Sequence, residues 1–94
     1  MLPESEVVKY QLVFTRQAQK DARKLAAAGL KAKAELLLVI LEGNPYQNPP
    51  PYEKLVGDLR GTYSRRINIQ HRLVYQVLED SRLIKVIRLW SHYE

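Results

Sequence analysis

Three β-favouring runs fill the last third of the chain, from Thr62 to Tyr93, and the polar breaks between them are too short to hold a helix. Runs joined this closely pair as hairpins, so this third is read as an antiparallel sheet. Basic side chains, Arg65, Arg66, Arg72, Arg82, Lys85 and Arg88, are threaded among the apolar ones and give the sheet a cationic surface. With turns around residues 69–71 and 80–81 and two-residue loops, parity places Arg65, Ile67, Arg72, Val74, Ile87 and Leu89 on one face. Leu73, Tyr75, Val77, Ile84 and Val86 fall on the other. The second set is the more uniformly apolar, so it is assigned to the covered core and the first set to the open face.

The preceding residues supply what such a sheet lacks. Tyr10, Leu12 and Phe14 alternate with Gln11 and Val13, the period of a half-buried strand, and residues 1–8 are expected to form a flexible tail. Thr15 stands at a helix N-cap, Ala18, Ala22, Leu25 and Ala26 line one face of that helix, and Gly29 ends it. A second helix from Leu30 carries Leu30, Ala34, Leu37, Leu38 and Leu41 on one stripe before the stop signals Gly43-Asn44-Pro45. Leu36, Val39 and Ile40 lie outside that stripe, as expected of a helix clamped between its partner and the sheet, or of a surface for a second protein chain.

Residues 44–52 are too rich in proline for a helix or a central strand. They read as a stiff spacer that fixes where Glu53-Lys54-Leu55 meets the sheet, in preference to a polyproline ligand. Gly57-Asp58 and Gly61 mark turns before the second strand. The order β, α, α, β, β, β predicts one α+β domain over residues 1–94 with a four-stranded, mainly antiparallel sheet.

A chain of 94 residues has room for one core, so any site lies on the surface or in a shallow groove. The N-terminus has no basic segment followed by an apolar one, and the longest apolar run, Leu36 to Leu41, is too short to span a bilayer. A soluble, cytoplasmic protein without membrane contact is expected. The absence of cysteine fits a reducing compartment, though a secreted protein without disulfides would look the same. Fifteen Lys and Arg against ten Asp and Glu give a formal charge of +5, which favours polyanionic partners.

The groups able to act as acid, base or anion clamp come late: Glu53, Arg65, Arg66, His71, Arg72, His92 and Tyr93. No metal or cofactor is expected, because the chain has no Cys and no His-x-x-x-His or His-x-His pair. The set suits cleavage of a phosphodiester beside a 2′-hydroxyl, which makes the substrate RNA. That reaction needs a base for the 2′-OH proton, an acid for the leaving 5′-oxygen, and cations for the phosphoryl oxygens. Glu53 is the candidate base, His92 the candidate acid, and arginine the candidate clamp. Each has a plainer reading: a solvated loop glutamate, a mobile terminal histidine, arginines decorating a half-exposed sheet, and a Tyr93 packed beside Trp90.

Pro51-Tyr52-Glu53-Lys54-Leu55, Leu59-Arg60-Gly61-Thr62-Tyr63-Ser64-Arg65-Arg66-Ile67, His71-Arg72-Leu73-Val74-Tyr75 and Ser91-His92-Tyr93, in this order, resemble the Txe/YoeB branch of the RelE/ParE toxin superfamily. Helices and first strand match that architecture with less specific sequence. The resemblance implies a RelE-like fold and the toxin of a type II toxin–antitoxin pair, an endoribonuclease that cleaves mRNA in the ribosomal A site. It implies Glu53 as general base, Arg72 as phosphate-stabilising arginine and His92 as general acid, with Tyr93, Arg65 and Arg66 binding substrate. It also implies a cognate antitoxin, the ribosome with its mRNA, and a second toxin chain in a homodimer as partners. Two features depart from the family pattern: Glu94 follows the tyrosine, and Leu89-Trp90-Ser91 lengthens the segment between Arg88 and His92. The alternatives are a ParE-like protein that binds DNA gyrase, and a basic RNA-binding module without activity.

Overall fold

The computed structural model describes residues 9–56 and 61–92, with Ser91 and His92 described by their backbone alone. The expected tail at 1–8, the turn at Gly57-Asp58, Tyr93 and Glu94 lie outside the described residues. Strand β1 (Gln11–Phe14) leads into helix α1 (Arg16–Ala27). Thr15 caps that helix as expected, its Oγ1 accepting the Ala18 N–H at 3.0 Å. At the other end Gly29 takes φ 76°, in the left-handed region. Its N–H returns to the Ala26 carbonyl at 3.2 Å and the Leu30 N–H to the Leu25 carbonyl at 2.9 Å, so a Schellman turn satisfies the last carbonyls.

Helix α2 (Lys31–Gly43) follows at once. Ala18 and Leu25 of α1 and Ala34, Leu37 and Leu41 of α2 are buried with Leu73, Tyr75, Val77, Ile84 and Val86, the strand residues assigned to the core. Leu36 and Val39 are not clamped between layers. They remain 65% and 62% exposed.

The sheet has five strands, one more than predicted, in the order β1-β5-β4-β3-β2. After α2 come β2 (Tyr52–Lys54), β3 (Thr62–Arg66), β4 (His71–Leu78) and β5 (Leu83–His92). The additional strand is β2, whose three residues pair antiparallel with β3 at the sheet edge. It begins one residue after Pro51, because proline has no N–H to give a ladder and is tolerated only at such an edge. β1 pairs parallel with β5, so the sheet is mixed and the domain α+β.

The register corrects the face assignment. Arg66 pairs with Arg72 and the Ile67 N–H donates to the His71 carbonyl at 2.9 Å, so three residues, 68–70, turn the chain between β3 and β4 instead of two. Asn68 shapes this connection, its Oδ1 accepting the Gln70 N–H at 2.9 Å and the His71 N–H at 2.7 Å. The changed parity turns Arg65 to the covered side, where it pairs with Leu73 and is 1% exposed. Farther along, Tyr75 faces Val86, Val74 faces Arg88 and Arg72 faces Ser91, so three steps on β4 match five on β5. Bulges in β5 absorb the two extra residues and bury Leu89, which had been expected on the open face. Ile67, just beyond β3, is buried as well.

Candidate active site

Glu53 reaches the sheet as the middle residue of β2, directly opposite Ser64 on β3. Ser64 is in turn opposite Val74, and Arg66 is opposite Arg72 on β4. Because paired residues of an antiparallel ladder share a face, Glu53, Ser64, Arg66 and Arg72 all stand on the side away from the helices. They line, with Pro51 and Tyr52, a groove of about 230 Å³. Arg72 Nη2 lies 3.6 Å from Glu53 Oε2, and Arg72 Nη1 donates to Ser64 Oγ at 3.1 Å. Ser64 is buried and so aims the guanidinium from below. This serine was not among the expected site residues; its signal in the sequence was its place between Tyr63 and the paired arginines.

The proline-rich spacer is tied down from the covered side. Arg65 donates from Nη1 to the Pro50 carbonyl at 2.6 Å, from Nη2 to the Pro45 carbonyl at 3.0 Å, and from Nε to the Tyr75 hydroxyl at 3.2 Å. The Tyr75 hydroxyl donates in turn to the Pro45 carbonyl at 2.8 Å. Burial pushes the Tyr75 phenol upward despite the nearby Arg65 charge, which keeps that proton in place. The Arg65 guanidinium lies 4.9 Å from the Tyr52 ring centre, and Tyr46, Tyr52 and Tyr63 pack with centroids 5.5 to 6.3 Å apart. Arg65, expected to bind substrate from the open face, thus stands on the opposite side of the sheet from Glu53 and Arg72.

At the start of β4, His71 is buried and stacked on Trp90 at 3.7 Å between ring centres. The β5 backbone places residue 91 opposite Arg72 and residue 92 opposite His71. The main chain carrying His92 therefore arrives at the strand that bears Arg72, while Tyr93 lies outside the described residues. A second overlooked residue supports this end of β5. Asp21, fully buried on α1, accepts from Arg88 Nε at 2.8 Å, the Leu89 N–H at 3.0 Å, the Trp90 N–H at 3.2 Å and Gln17 Nε2 at 3.0 Å. Burial alone would raise its carboxyl, but the hydrogen bonds from Arg88, Gln17 and Leu89 outweigh it and bring the pKa down to about 2. The signal was present in the sequence: Asp21 sits three residues after Ala18 and four before Leu25, a charge on the apolar stripe.

Among the described residues no group of three or more His, Cys, Asp or Glu side chains could hold a metal ion, and no helix is long and apolar enough to cross a membrane. The groove instead offers a carboxylate beside two arginines, which suits proton abstraction next to a bound phosphate.

Comparison with known proteins agrees with this architecture. A toxin YoeB from Streptomyces coelicolor is 32% identical over 84 residues, spanning 87% of this chain and 98% of that protein. A YoeB/ParE toxin structure from Agrobacterium tumefaciens superposes with a TM-score of 0.78 at 30% identity, covering 88% of this chain and 99% of the other. The YoeB–YefM complex from Staphylococcus aureus gives 0.74 at 33% identity, with 89% and 98% covered. The family model for the YoeB-like toxin of bacterial type II toxin–antitoxin systems matches residues 14–93, and the chain belongs to that family.

Proposed function

We propose that the protein is a ribosome-dependent endoribonuclease that cleaves mRNA in the A site and so inhibits translation. The observation that carries this reading is the Glu53 carboxylate 3.6 Å from the Arg72 guanidinium in an open groove that Arg66 also lines. Glu53 takes the proton of a ribose 2′-hydroxyl, and the freed oxygen attacks the adjacent phosphorus. Arg72, aimed by Ser64, and Arg66 stabilise the charge on the phosphoryl oxygens. The bond to the 5′-oxygen breaks, and His92 gives that oxygen its proton, leaving a 2′,3′-cyclic phosphate and a 5′-hydroxyl. Tyr93 positions the substrate beside the acid. No metal takes part in this scheme.

The formal charge of +5 favours approach to the ribosome and its mRNA. A cognate antitoxin is the protein partner, and the exposed Leu36 and Val39 on α2 suit its docking. The compartment is the cytoplasm, where translating ribosomes are found. The test is primer extension on a translated mRNA with the wild-type protein and with Glu53→Gln and His92→Gln. Cuts lost in both variants are expected. Undiminished cuts in both would overturn the mechanism, and DNA damage with intact mRNA would replace it with gyrase inhibition.

A further inference from the structure

We propose that Asp21 is the positioning residue of the C-terminal end of β5: its carboxylate holds the bulge from which the backbone runs to His92. The inference rests on the proposed role of His92 as acid. Up to Val86 the outer edge of β5 is paired with β1. There β1 ends, and Thr15 continues the edge, its N–H donating to the Val86 carbonyl at 3.1 Å and its hydroxyl to the Ile87 carbonyl at 2.8 Å. Two residues later Asp21 takes over. One oxygen, Oδ2, receives both the Leu89 and the Trp90 N–H groups together with Arg88 Nε.

These donors belong to the stretch where β5 carries two residues more than β4. A bulge turns backbone N–H groups away from the regular ladder, and a buried N–H needs an acceptor. Asp21 supplies it for two consecutive residues. The pairing of Arg72 with Ser91 and of His71 with His92 resumes directly after them. If β5 instead kept the register it has at Tyr75 and Val86, Arg72 would face Leu89 and His71 would face Trp90. Residue 92 would then lie two strand positions farther out, about 7 Å at the rise of a β-strand. Displacement of a reacting group by only about 1 Å can cost a hundredfold in rate. An apolar side chain at position 21 would fill the same space without selecting the bulged register. The stacking of His71 on Trp90 is compatible with this role, because it holds the bulge from the β4 side.

The experiment compares the full-length wild-type protein with Asp21→Asn and Asp21→Ala at a temperature where thermal denaturation shows all of them folded. On ribosomes programmed with mRNA, Asp21→Ala is expected to lower kcat at least tenfold with KM within threefold of wild type, and Asp21→Asn to fall between. In two-dimensional amide NMR spectra without ribosomes, the Leu89 and Trp90 signals are expected to shift, and hydrogen exchange at Ser91 and His92 to accelerate at least tenfold. A merely structural role would lower the melting temperature while leaving kcat of the folded variants and the exchange at residues 91 and 92 unchanged, and that result overturns the proposal. A wild-type protein that cuts no mRNA would overturn the ribonuclease reading, and the NMR comparison would then decide whether Asp21 positions the strand end.

Discussion

Arg72 and Glu53 face each other across β3, guanidinium to carboxylate at 3.6 Å, although the two residues belong to strands that do not pair. The Glu53 side chain is 62% exposed and the Arg72 side chain 18%. An ion pair this open to solvent contributes less than about 1 kcal/mol to stability. Glu53→Gln is therefore expected to leave the melting temperature within about 2 °C of wild type. On the proposed mechanism it lowers single-turnover mRNA cleavage by about 10² to 10⁴, the usual share of a general base. Calorimetry and cleavage assays on the same preparation check both halves.

Arg72→Lys tests the clamp. A lysine offers a point charge and cannot reproduce a planar fork that is held by Ser64 and, on the proposed mechanism, binds phosphate oxygens. Cleavage is expected to fall by about 10² or more, as when a transition-state donor is removed. Ser64→Ala, which releases the guanidinium without removing it, is expected to cost about tenfold, within the same range of donor effects.

Arg65 calls for the opposite outcome. Its guanidinium is buried and donates to two carbonyls of the proline-rich segment and to the Tyr75 hydroxyl. Arg65→Met removes those bonds and leaves the Pro45 and Pro50 carbonyls to find other donors. A loss of about 2 to 4 kcal/mol in urea unfolding is expected, the range for breaking a buried charged network. Arg66→Met, on the exposed face, is expected to change stability by less than about 0.5 kcal/mol.

Asp21 links stability to acid. Its carboxyl is held at about 2, against an ordinary value of 3.8. A depressed folded-state pKa means that the stabilisation is complete above the unfolded value and is lost as pH falls through the folded one. Between pH 4 and pH 2 the protein is expected to lose about 2 kcal/mol through this group, at about 1.4 kcal/mol for each unit of difference. Asp21→Asn is expected to flatten that part of the stability-versus-pH curve, measured by urea unfolding at each pH.

The helices were legible in the sequence because their signals are local. Thr15 and Gly29 mark the two ends of α1, and the apolar spacing of α2 is satisfied within one element. The strands were legible as strands, but their facing was not, since that depends on counting residues in loops and bulges. Asn68 organises a turn of three residues where two were expected, and the single step moved Arg65 through the sheet. The bulges in β5 did the same to Leu89. β2 escaped notice because three residues after a run of prolines have no periodicity, and only the edge of β3 makes them a strand. The convergence of Glu53 and Arg72 was expected from the family resemblance, whereas Ser64 and Asp21 act through contacts between distant segments, and the charge of Asp21 on the apolar stripe of α1 marks its burial but not its partners.

The parallel pairing of β1 with β5 also has a temporal side. Of the described elements, β1 is the first to be synthesised and β5 the last, yet they are neighbours, and β5 sits between β1 and β4. Contacts of such long sequence separation form late, after the entropy of closing the intervening chain has been overcome. During synthesis at about 5 to 20 residues per second, β1 has no strand to pair with among the described residues until β5 has emerged. A nascent chain can assemble its helical hairpin, but the sheet closes, and residue 92 comes beside Arg72's strand, only in the final step. On this order the groove lined from β2, β3 and β4 can form before residue 92 reaches it, and the end of β5 is the last part added.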